Sequence, residues 1–385
     1  MEKTAADFFA GIGLASLGFT RQQWQVKFAV DHSVAKQQMY EKQFGADHFH
    51  RKSIEDVSGR DLPKVSLAHA SFPCTDISLA GSRAGIDAGE SSAFWHFIRV
   101  LRETGYDDGP GQPPFVLIEN VEGLISSGNG NDLRDILRAL NELGYSTDLL
   151  LINARHFVPQ SRVRLFITGV FGVAAQTALQ IDEQLSKSHD VRNPRIREFI
   201  RKHHQIAWYL RDIPELPKSK RRLNYIIDEG AEWWPEERTE YLLNQMFDRH
   251  KREIDRLKRL KTWSYRTVFR RMRLRDGKKR STAEMRTDEI AGCLRTPKGG
   301  SARQIVLRIG RGQVCARLLN ARETARLMGA DDFELSDDLS LNDALFGFGD
   351  AVCVPVIQWI IDNYFERLVG DYSNIIHQTS QRAAA

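Results

Sequence analysis

The sequence predicts an α/β protein with a largely parallel sheet covered by helices on both faces, followed by a second, basic domain. Strand-like and helix-like segments alternate over the first 170 residues, which is typical of such sheets. Glycine-rich or polar turns follow several strand-like segments, at the edge where these folds bind ligands. After about residue 171 the chain becomes rich in Arg, Lys and Trp, and its periodicity turns irregular.

The elements of the predicted sheet follow in order along the chain. Short apolar runs predict strands at residues 26–30, 65–70, 115–118, 149–153 and 163–170. Apolar residues at helical spacing predict helices over residues 34–44 and 133–143, and Gly144 supplies the stop of the second helix. A helix near residues 322–328 and an apolar stretch over residues 352–361 complete the ordered part of the chain.

Composition places the chain among globular proteins and limits the cell compartments in which it is expected. A length of 385 residues favours two domains, and 55 basic against 50 acidic residues give a net charge of +5. No secretion signal and no apolar stretch of membrane-spanning length are expected. The cysteines are scattered without a Cys-x-x-Cys pair, at Cys74, Cys293, Cys315 and Cys353. Neither a disulfide framework nor a metal site is therefore expected, and a reducing cytoplasm fits.

The excess of basic residues is concentrated between Arg249 and Arg280, where only Glu253, Asp255 and Asp276 oppose the cations. Such a run is ordinarily a solvated helix face, and residues 249–260 fit that interpretation. Between residues 263 and 280, however, aromatic residues interleave with the cations, which favours contact with phosphate groups.

A glycine turn near the start of the chain is typical of a nucleotide-type cofactor site. Residues 7–14 read as a strand that ends in a turn containing Gly11 and Gly13 and opens a helix. Glycines let backbone N–H groups approach a ligand at a helix N-terminus. Asp31 ends the next strand, where a carboxylate accepts hydrogen bonds from ribose hydroxyls. Together they predict a cofactor that carries adenosine.

Three further groups of chemically active residues follow predicted strands. Cys74 lies in a loop after the strand 65–70, and Glu119 follows the strand 115–118. A thiol there is a candidate nucleophile, and a carboxyl in a dry cleft can hold a proton near neutral pH. Arg162 and Arg164 alternate by two, so both are expected on one face of the sheet. Each of these elements alone could be surface charge or part of a turn. Neither explanation accounts for all of them being at one edge of the sheet.

These motifs, in this order, resemble those of the C5-cytosine DNA methyltransferases. The shared motifs are Asp7-x-Phe9-x-Gly11-x-Gly13, Phe72-Pro73-Cys74, Glu119-Asn120-Val121, Gln160-x-Arg162-x-Arg164, Arg317-Leu318-x-x-x-Arg322-Glu323-x-Ala325-Arg326-Leu327-x-Gly329 and Phe348-Gly349-Asp350-Ala351-Val352-x-Val354-Pro355. The resemblance covers residues 5–170 and about 290–362. The chain departs from the family at Leu14, where a glycine is usual, at Asp350, where many members have asparagine, and at residues 90–92, where an arginine is usual.

The resemblance implies a fold and a division into domains. It implies a Rossmann-like S-adenosylmethionine-dependent methyltransferase domain, with a smaller basic target-recognition domain inserted before the C-terminal helices. Residues 1–170 and 313–370 would form the first, residues 171–312 the second, and residues 371–385 a flexible tail.

The resemblance also implies roles in catalysis. The expected catalytic set is Cys74, Glu119, Asn120, Arg162 and Arg164. Cys74 would attack C6 of a cytosine flipped out of duplex DNA, and Glu119 would donate a proton or hydrogen bond at N3. Arg164 would hold the cytosine O2 with support from Arg162, while Asn120 would order the Pro73-Cys74 turn.

S-adenosylmethionine would bind over the glycine turn and leave as S-adenosylhomocysteine. Its ribose would contact Asp31 and its adenine Asp56 and Val57. The expected cofactor-binding residues are Phe9, Ala10, Gly11, Ile12, Gly13, Leu14, Asp31, His32, Asp56, Val57, Pro73, Asp350, Ala351 and Val352.

Double-stranded DNA is the expected partner, with residues 78–92 as a lid over the flipped nucleotide. The expected DNA-binding residues are Ser78, Arg83, Arg266, Arg270, Arg271, Arg295, Thr296, Lys298, Gly299, Gly300, Ser301 and Arg303. For Arg295 and Arg303, guanine reading and phosphate contact are about equally favoured. A monomer in the bacterial cytoplasm, associated with the nucleoid, is expected. A restriction endonuclease or other defence protein encoded nearby is a family-level expectation.

Four alternative functions explain fewer of these residues. A dinucleotide-dependent oxidoreductase explains the glycine turn and Asp31, but leaves Cys74 and Glu119 without a role. A tRNA cytosine-5 methyltransferase is the nearer alternative, although the long basic insert suits duplex DNA better. An inactive relative is disfavoured because every catalytic position is filled. Methyltransferases of amino groups are disfavoured because their Asp/Asn-Pro-Pro-Tyr motif is absent from the sequence.

Overall fold

The computed structural model describes residues 1–72, 93–187, 190–275, 277–296, 303–336 and 339–384. The chain divides into two compact units, and each unit is formed by segments that are not contiguous in the sequence. Unit 1 comprises Met1–Ile152, Val163–Leu216 and Val356–Ala385, and unit 2 comprises Asn153–Arg162 and Pro217–Pro355.

The strands and helices have the following bounds. The strands are β1 (Thr4–Phe8), β2 (Gln25–Asp31), β3 (Phe49–Arg51), β4 (Leu67–Ala70), β5 (Phe115–Val121), β6 (Tyr145–Asn153), β7 (Val163–Phe171), β8 (Ser264–Arg275), β9 (Lys278–Met285), β10 (Ile305–Gly310) and β11 (Gln313–Leu318). The helices are α1 (Leu14–Arg21), α2 (Val34–Phe44), α3 (Ala93–Thr104), α4 (Asn131–Glu142), α5 (Ala178–Ser186), α6 (Pro194–Lys202), α7 (Glu236–Asn244), α8 (Asp248–Lys258), α9 (Ala321–Leu327), α10 (Leu341–Asp350), α11 (Val354–Ile360) and α12 (Glu366–Ala384).

Unit 1 is built on a seven-stranded sheet in the order β3-β2-β1-β4-β5-β7-β6. β1 pairs in parallel with β2 and β4, and the parallel pairing continues to β3 and β5 at either side. β7 runs antiparallel to β5. The prediction of a largely parallel, Rossmann-like sheet is confirmed. The carboxyl ends of β1, β4 and β5 come together because Phe8 pairs with Ala70 and Ala70 pairs with Ile118.

The core of unit 1 forms as its sequence pattern predicts. Val116 and Ile118 of β5 are fully buried, as are Leu133 and Leu137 on the apolar face of α4. Gly144 follows this helix with a φ of 90°, a left-handed conformation that suits glycine at a helix end.

The C-terminal region is more helical than expected. Residues 341–377 contain a helical window of mean hydropathy 1.7, although no apolar stretch of membrane-spanning length was expected. Of that window, 67% is buried inside the protein, and a core helix of a globular protein passes the same test of length and composition. Residues 371–384, expected as a flexible tail, continue α12.

Unit 2 is built on a four-stranded antiparallel sheet in the order β11-β10-β8-β9. One face of this sheet packs on α7 and α8 through a small apolar core, whose buried members include Leu242, Ile254, Leu257, Val268 and Leu307.

The units differ from the domain bounds expected from composition. Residues 171–216 pack in unit 1, where the Trp208 side chain is fully buried and the backbone beside it bonds Thr147 of β6. Residues 313–355 pack in unit 2, where Arg317 of β11 forms a buried ion pair with Glu323 of α9 at 2.6 Å. Local composition shows where Arg and Trp are frequent, but it does not show which of these residues become buried in which unit.

Candidate active site

The turn between β1 and α1 holds its backbone in an uncommon conformation. Phe9, Gly11 and Gly13 all have positive φ, at 58°, 59° and 84°. The Gly13 N–H donates to the Ala10 carbonyl at 2.9 Å, and α1 begins at Leu14. The predicted sequence of strand, glycine turn and helix is therefore present, with backbone N–H groups at a helix N-terminus.

Asp31 braces this turn from the end of β2. Its Oδ2 accepts a hydrogen bond from the Gly11 N–H at 3.0 Å, and its Oδ1 accepts one from the Ser33 N–H at 2.9 Å. Each carboxylate oxygen has a second lone pair, so these bonds leave capacity for ligand hydroxyls. The neighbouring His32 side chain is 78% exposed.

Gly13 has no room for a side chain. A Cβ there would lie 2.4 Å from the Phe44 ring and 2.7 Å from the Tyr40 ring. We expect Gly13→Ala to destabilise the chain by about 2–3 kcal/mol, from the clash and the left-handed φ together, and to weaken binding of S-adenosylhomocysteine. Denaturant unfolding and calorimetric titration measure these effects. Gly45→Ala is the matched control, because Gly45 has a φ of 81° but a Cβ at this position would meet no atom within 4 Å. Equal losses in both variants would contradict the role of the clash.

A buried polar network beneath the turn was not expected from the sequence. Asp7 is fully buried, and its two oxygens contact Ser16 Oγ at 2.7 Å and His69 Nδ1 at 2.8 Å. Ser16 Oγ also lies 3.1 Å from the Tyr40 hydroxyl. Burial is the main cause that raises the pKa of Tyr40, and the negative charge of Asp7 is the second. The Tyr40 hydroxyl therefore stays protonated. The network fixes β1, α1, α2 and β4 around the turn.

The two residues expected to contact the adenine, Asp56 and Val57, differ in their burial within unit 1. Asp56 is exposed and ends a short helical turn, whereas Val57 is 4% exposed and belongs to the core. The Arg99 guanidinium donates to the Val57 carbonyl at 3.0 Å and to the Ile54 carbonyl at 3.2 Å. The turn that carries both residues is thereby fixed to α3.

A second group of residues lies where β4 and β5 end. Glu119 is 5% exposed, and its Oε2 accepts a hydrogen bond from Ser71 Oγ at 2.6 Å. Its Oε1 lies 2.8 Å from Arg164 Nε, as an ion pair. Within the described residues, however, no donor is aligned on Oε1 for a hydrogen bond. The carboxylate is thus held by Ser71 at Oε2 and by the charge of Arg164 at Oε1, and Oε1 retains its capacity to accept a hydrogen bond.

The antiparallel pairing of β7 explains why Arg164 reaches Glu119. Arg164 pairs with Val121 of β5, which is two residues from Glu119 and therefore on the same face. Diagonal neighbours on one face are within reach of a long side chain. The sequence predicts that Arg164 and Glu119 lie at one edge of the sheet, but it does not predict their contact, because it does not show that β7 reverses direction.

Asn120 and Phe9 connect the two groups. Asn120 Nδ2 donates to the Phe72 carbonyl at 3.2 Å, and the Phe72 ring meets the Phe9 ring edge-on, with centroids 6.3 Å apart. The glycine turn and the Glu119 group therefore share one edge of the sheet. Pro73 and Cys74, which follow Phe72, lie outside the described residues, as do Ser78 and Arg83.

Arg162 does not have the partners that the sequence suggested. It precedes the first residue of β7, is 2% exposed, and belongs to unit 2. Its guanidinium donates to the backbone carbonyls of Leu294, Gly349 and Ala351, at 3.0, 3.2 and 2.6 Å. The expectation that Arg162 and Arg164 share a face of the sheet is wrong, because the strand begins only after Arg162.

Comparison with known proteins decides the family. Residues 4–366 match the sequence profile of the C-5 cytosine-specific DNA methylases. The chain belongs to this family.

Individual relatives match only part of this chain. It is 29% identical to the type II methyltransferase M.BanI of Aneurinibacillus aneurinilyticus, over 54% of this chain and 48% of that protein. It is 33% identical to the orphan methyltransferase M.SPRI of Bacillus phage SPR, over 42% of this chain and 33% of that protein. Each match therefore spans less than half the relative's length. Among solved structures, the Entamoeba histolytica methyltransferase EhMeth superposes with a TM-score of 0.61 at 13% identity, covering 96% of this chain and 99% of that one, which shows the fold.

The residues expected to contact DNA differ in their exposure to solvent. Arg266 is 4% exposed and forms an ion pair with Glu289 at 2.9 Å, so it does not face solvent as expected. Arg270 is half-buried, whereas Arg271 and Arg295 are exposed. Thr296 is half-buried, and Arg303 contacts Asn342. Lys298, Gly299, Gly300 and Ser301 lie outside the described residues.

The closing motif of the chain lies in unit 2. It spans the end of α10, the residues between the two helices and the first two residues of α11. Asp350 is exposed, Ala351 is half-buried, and Val352 is 4% exposed. Their assignment to the cofactor stays a prediction.

Ser71 is a residue that sequence reasoning missed. Its hydroxyl donates to Glu119 Oε2, and hydrogen bonds to charged groups contribute about 1.5–3 kcal/mol. We expect Ser71→Ala to lower kcat about 10–100-fold and to leave the KM for DNA within about twofold. Steady-state kinetics measures this split. Ser126→Ala is the control, because Ser126 is exposed and its hydroxyl donates to the Gly123 carbonyl. A changed KM at unchanged kcat would contradict a positioning role for Ser71.

Proposed function

We propose that this chain transfers a methyl group from S-adenosylmethionine to C5 of cytosine in a short sequence of double-stranded DNA. The observation that carries the proposal is the shared sheet edge, where a glycine turn braced by Asp31 meets the buried Glu119 group through Phe9 and Phe72. Family membership over residues 4–366 supports the same reaction.

The donor set of the turn fits S-adenosylmethionine. Glycines at positions 11 and 13 keep the turn free of side chains at these two residues, and the Asp31 carboxylate retains lone pairs for ribose hydroxyls. When bound, this cofactor supplies an electrophilic methyl group. We assign to its site Phe9, Ala10, Ile12 and Leu14 beside these three residues.

The protein's own residues would make cytosine reactive. The Cys74 thiolate would form a bond to C6, and the electron pair of the C5–C6 double bond would become available at C5. Glu119 would donate a proton or hydrogen bond to N3, stabilising the charge that the attack places in the ring. Arg164 would hold the cytosine O2.

Release would regenerate the thiolate and aromatic ring. Once C5 carries the methyl group, a base removes the C5 proton, and the electrons of that C–H bond re-form the C5–C6 double bond. The Cys74–C6 bond breaks in the same step. The target must leave the base stack for this chemistry, at a cost of a few kcal/mol.

Bisulfite sequencing tests the proposal. DNA would be taken from a methylation-deficient bacterial host that expresses the chain, with Cys74→Ala as the control. Protected cytosines confined to one short motif, and absent with the variant, are the expected result. Absence of protected cytosines in DNA despite folded protein would refute the proposal. Protected cytosines in the RNA of the same cells would favour the tRNA-type alternative.

M.BanI carries the name of a type II enzyme and M.SPRI that of an orphan enzyme. A companion endonuclease is therefore a separate proposal. Its test is whether DNA from the expressing host becomes resistant to a nuclease encoded beside the methylase gene.

A further inference from the structure

The hairpin of β8 and β9 extends beyond the sheet of unit 2. β10 pairs with β8 only from Ser264 to Val268, whereas β9 pairs with β8 as far as Arg275. Residues 271–275 and 278–282 therefore form a two-stranded ribbon, here called the outer ribbon. In the described part of the chain no third strand pairs with it.

The outer ribbon is strongly cationic. Its sequence from 271 to 282 contains six basic residues and one acid, Asp276. Arg271 and Arg273 lie near Glu284, at 3.9 and 2.7 Å. The second strand of the ribbon contributes three exposed basic residues, Lys278, Lys279 and Arg280. No described carboxylate lies within ion-pair distance of these three side chains.

The two faces of the ribbon differ. Because side chains alternate along a strand, Met272 and Leu274 share one face, and Arg271 and Arg273 share the other. Met272 is 62% exposed and Leu274 is 73% exposed. They continue the face on which Val268 joins the core of unit 2, but lie beyond the part of that face covered by α7 and α8.

The combination fits one kind of partner. The DNA major groove admits a two-stranded ribbon, and its floor carries thymine methyl groups that accept apolar contacts. Phosphates line both walls of the groove and attract cations. A protein partner would explain the exposed aliphatic side chains, but the large excess of positive charge favours a polyanion.

We propose that the outer ribbon enters the major groove of duplex DNA, with Met272 and Leu274 toward the base edges and the cations on the phosphates. The inference rests on the proposed function for its substrate, and it assigns part of the sequence selection to two apolar residues. Arg266, although close in sequence, has no part in it, since its guanidinium is buried against Glu289.

Binding titrations with a fluorescently labelled duplex at several salt concentrations test the electrostatic part. For Lys278→Gln/Arg280→Gln we expect weaker binding to every duplex and a salt slope smaller by about two, since each phosphate contact contributes roughly 0.9. The matched control is Arg252→Gln/Arg259→Gln, which removes the same charge from exposed positions at α8. Equal slopes for the two double variants would overturn the assignment of the ribbon cations.

A second double variant tests the reading of bases. Met272→Ser/Leu274→Ser is expected to reduce the affinity ratio between duplexes with and without the methylated motif by at least about fivefold, with an unchanged salt slope. An unchanged ratio would overturn the apolar contact. Both positions are exposed, and thermal unfolding would verify that each variant folds.

These experiments separate the two proposals. If the methylation assay finds no modified cytosine, the salt slope on random duplex still reports on the ribbon. If the ribbon is misassigned, its variants bind and methylate like the parent chain, whereas Cys74→Ala still loses methylation.

Discussion

Cys74→Ala is expected to reduce methyl transfer by at least about 10⁴-fold and to leave DNA binding intact. Cytosine C5 is a poor nucleophile until a thiolate adds to C6, so the variant lacks the step that activates the ring. Losses of this size are typical when a covalent nucleophile is removed. Transfer of a radiolabelled methyl group to duplex DNA under single-turnover conditions measures the loss, and gel-shift titration measures binding.

Cys315→Ala is the matched control for this prediction. Cys315 lies in β11, is half-buried, and belongs to unit 2, whereas the Glu119 group belongs to unit 1. It removes a thiol of the same kind, so its activity is expected to stay within about twofold of the parent. Methyl transfer retained by Cys74→Ala would exclude the covalent mechanism for this chain.

Glu119→Gln is expected to lower the single-turnover rate by about 10²–10⁴-fold, the range typical of a positioned proton donor. The amide keeps the shape of the carboxyl and accepts from Ser71, but it cannot transfer a proton to N3 and it loses the ion pair with Arg164. The rate at saturating DNA measures this effect. Unfolding by denaturant, measured in parallel, separates it from loss of folded protein.

Glu122→Gln serves as the comparison for this variant. Glu122 lies three residues further along the chain, its side chain is 41% exposed, and its ion pair with Arg195 spans 3.7 Å. Exposed pairs of this kind contribute little to stability, so the variant should behave like the parent. A similar rate for Glu119→Gln and Glu122→Gln would remove Glu119 from the mechanism.

The sequence predicts the elements that position the site because their periodicity depends on local residues. The strand that carries Glu119 and the turn at Gly11 and Gly13 follow from runs of apolar residues ended by glycine or polar side chains. Parallel strands bring their carboxyl ends to one edge, so the neighbourhood of Asp31 and the turn was also predictable.

The partners of individual arginines were not predictable in the same way. Arg162, Arg164 and Arg266 are alike as residues, but the first bonds backbone carbonyls, the second Glu119 and the third Glu289. These partners depend on the direction of β7 and on which face of β8 the core covers. The role of Ser71 was not predictable for a similar reason. It depends on the hydrogen bond to Glu119, a residue of the neighbouring strand, and the sequence around Ser71 does not indicate this partner.

Periodicity indicates only part of the outer ribbon. Basic and apolar residues alternate along residues 271–275, as in a strand with two different faces. The alternation does not show that the apolar face stays uncovered, because that depends on where the pairing with β10 ends and on the register with β9, in which Arg273 pairs with Arg280.

The short segment Asn153–Arg162 has a consequence for engineering altered specificity. It belongs to unit 2, although most of that unit is the continuous stretch Pro217–Pro355. Gln160 of this segment bonds the Leu294 N–H and the Leu327 carbonyl, and Arg162 bonds three more carbonyls of the long stretch. A chimera that transplants only the long stretch would therefore depend on the recipient's own ten residues for these bonds. Donor grafts that carry both segments should yield folded hybrids more often than grafts cut at a single pair of junctions.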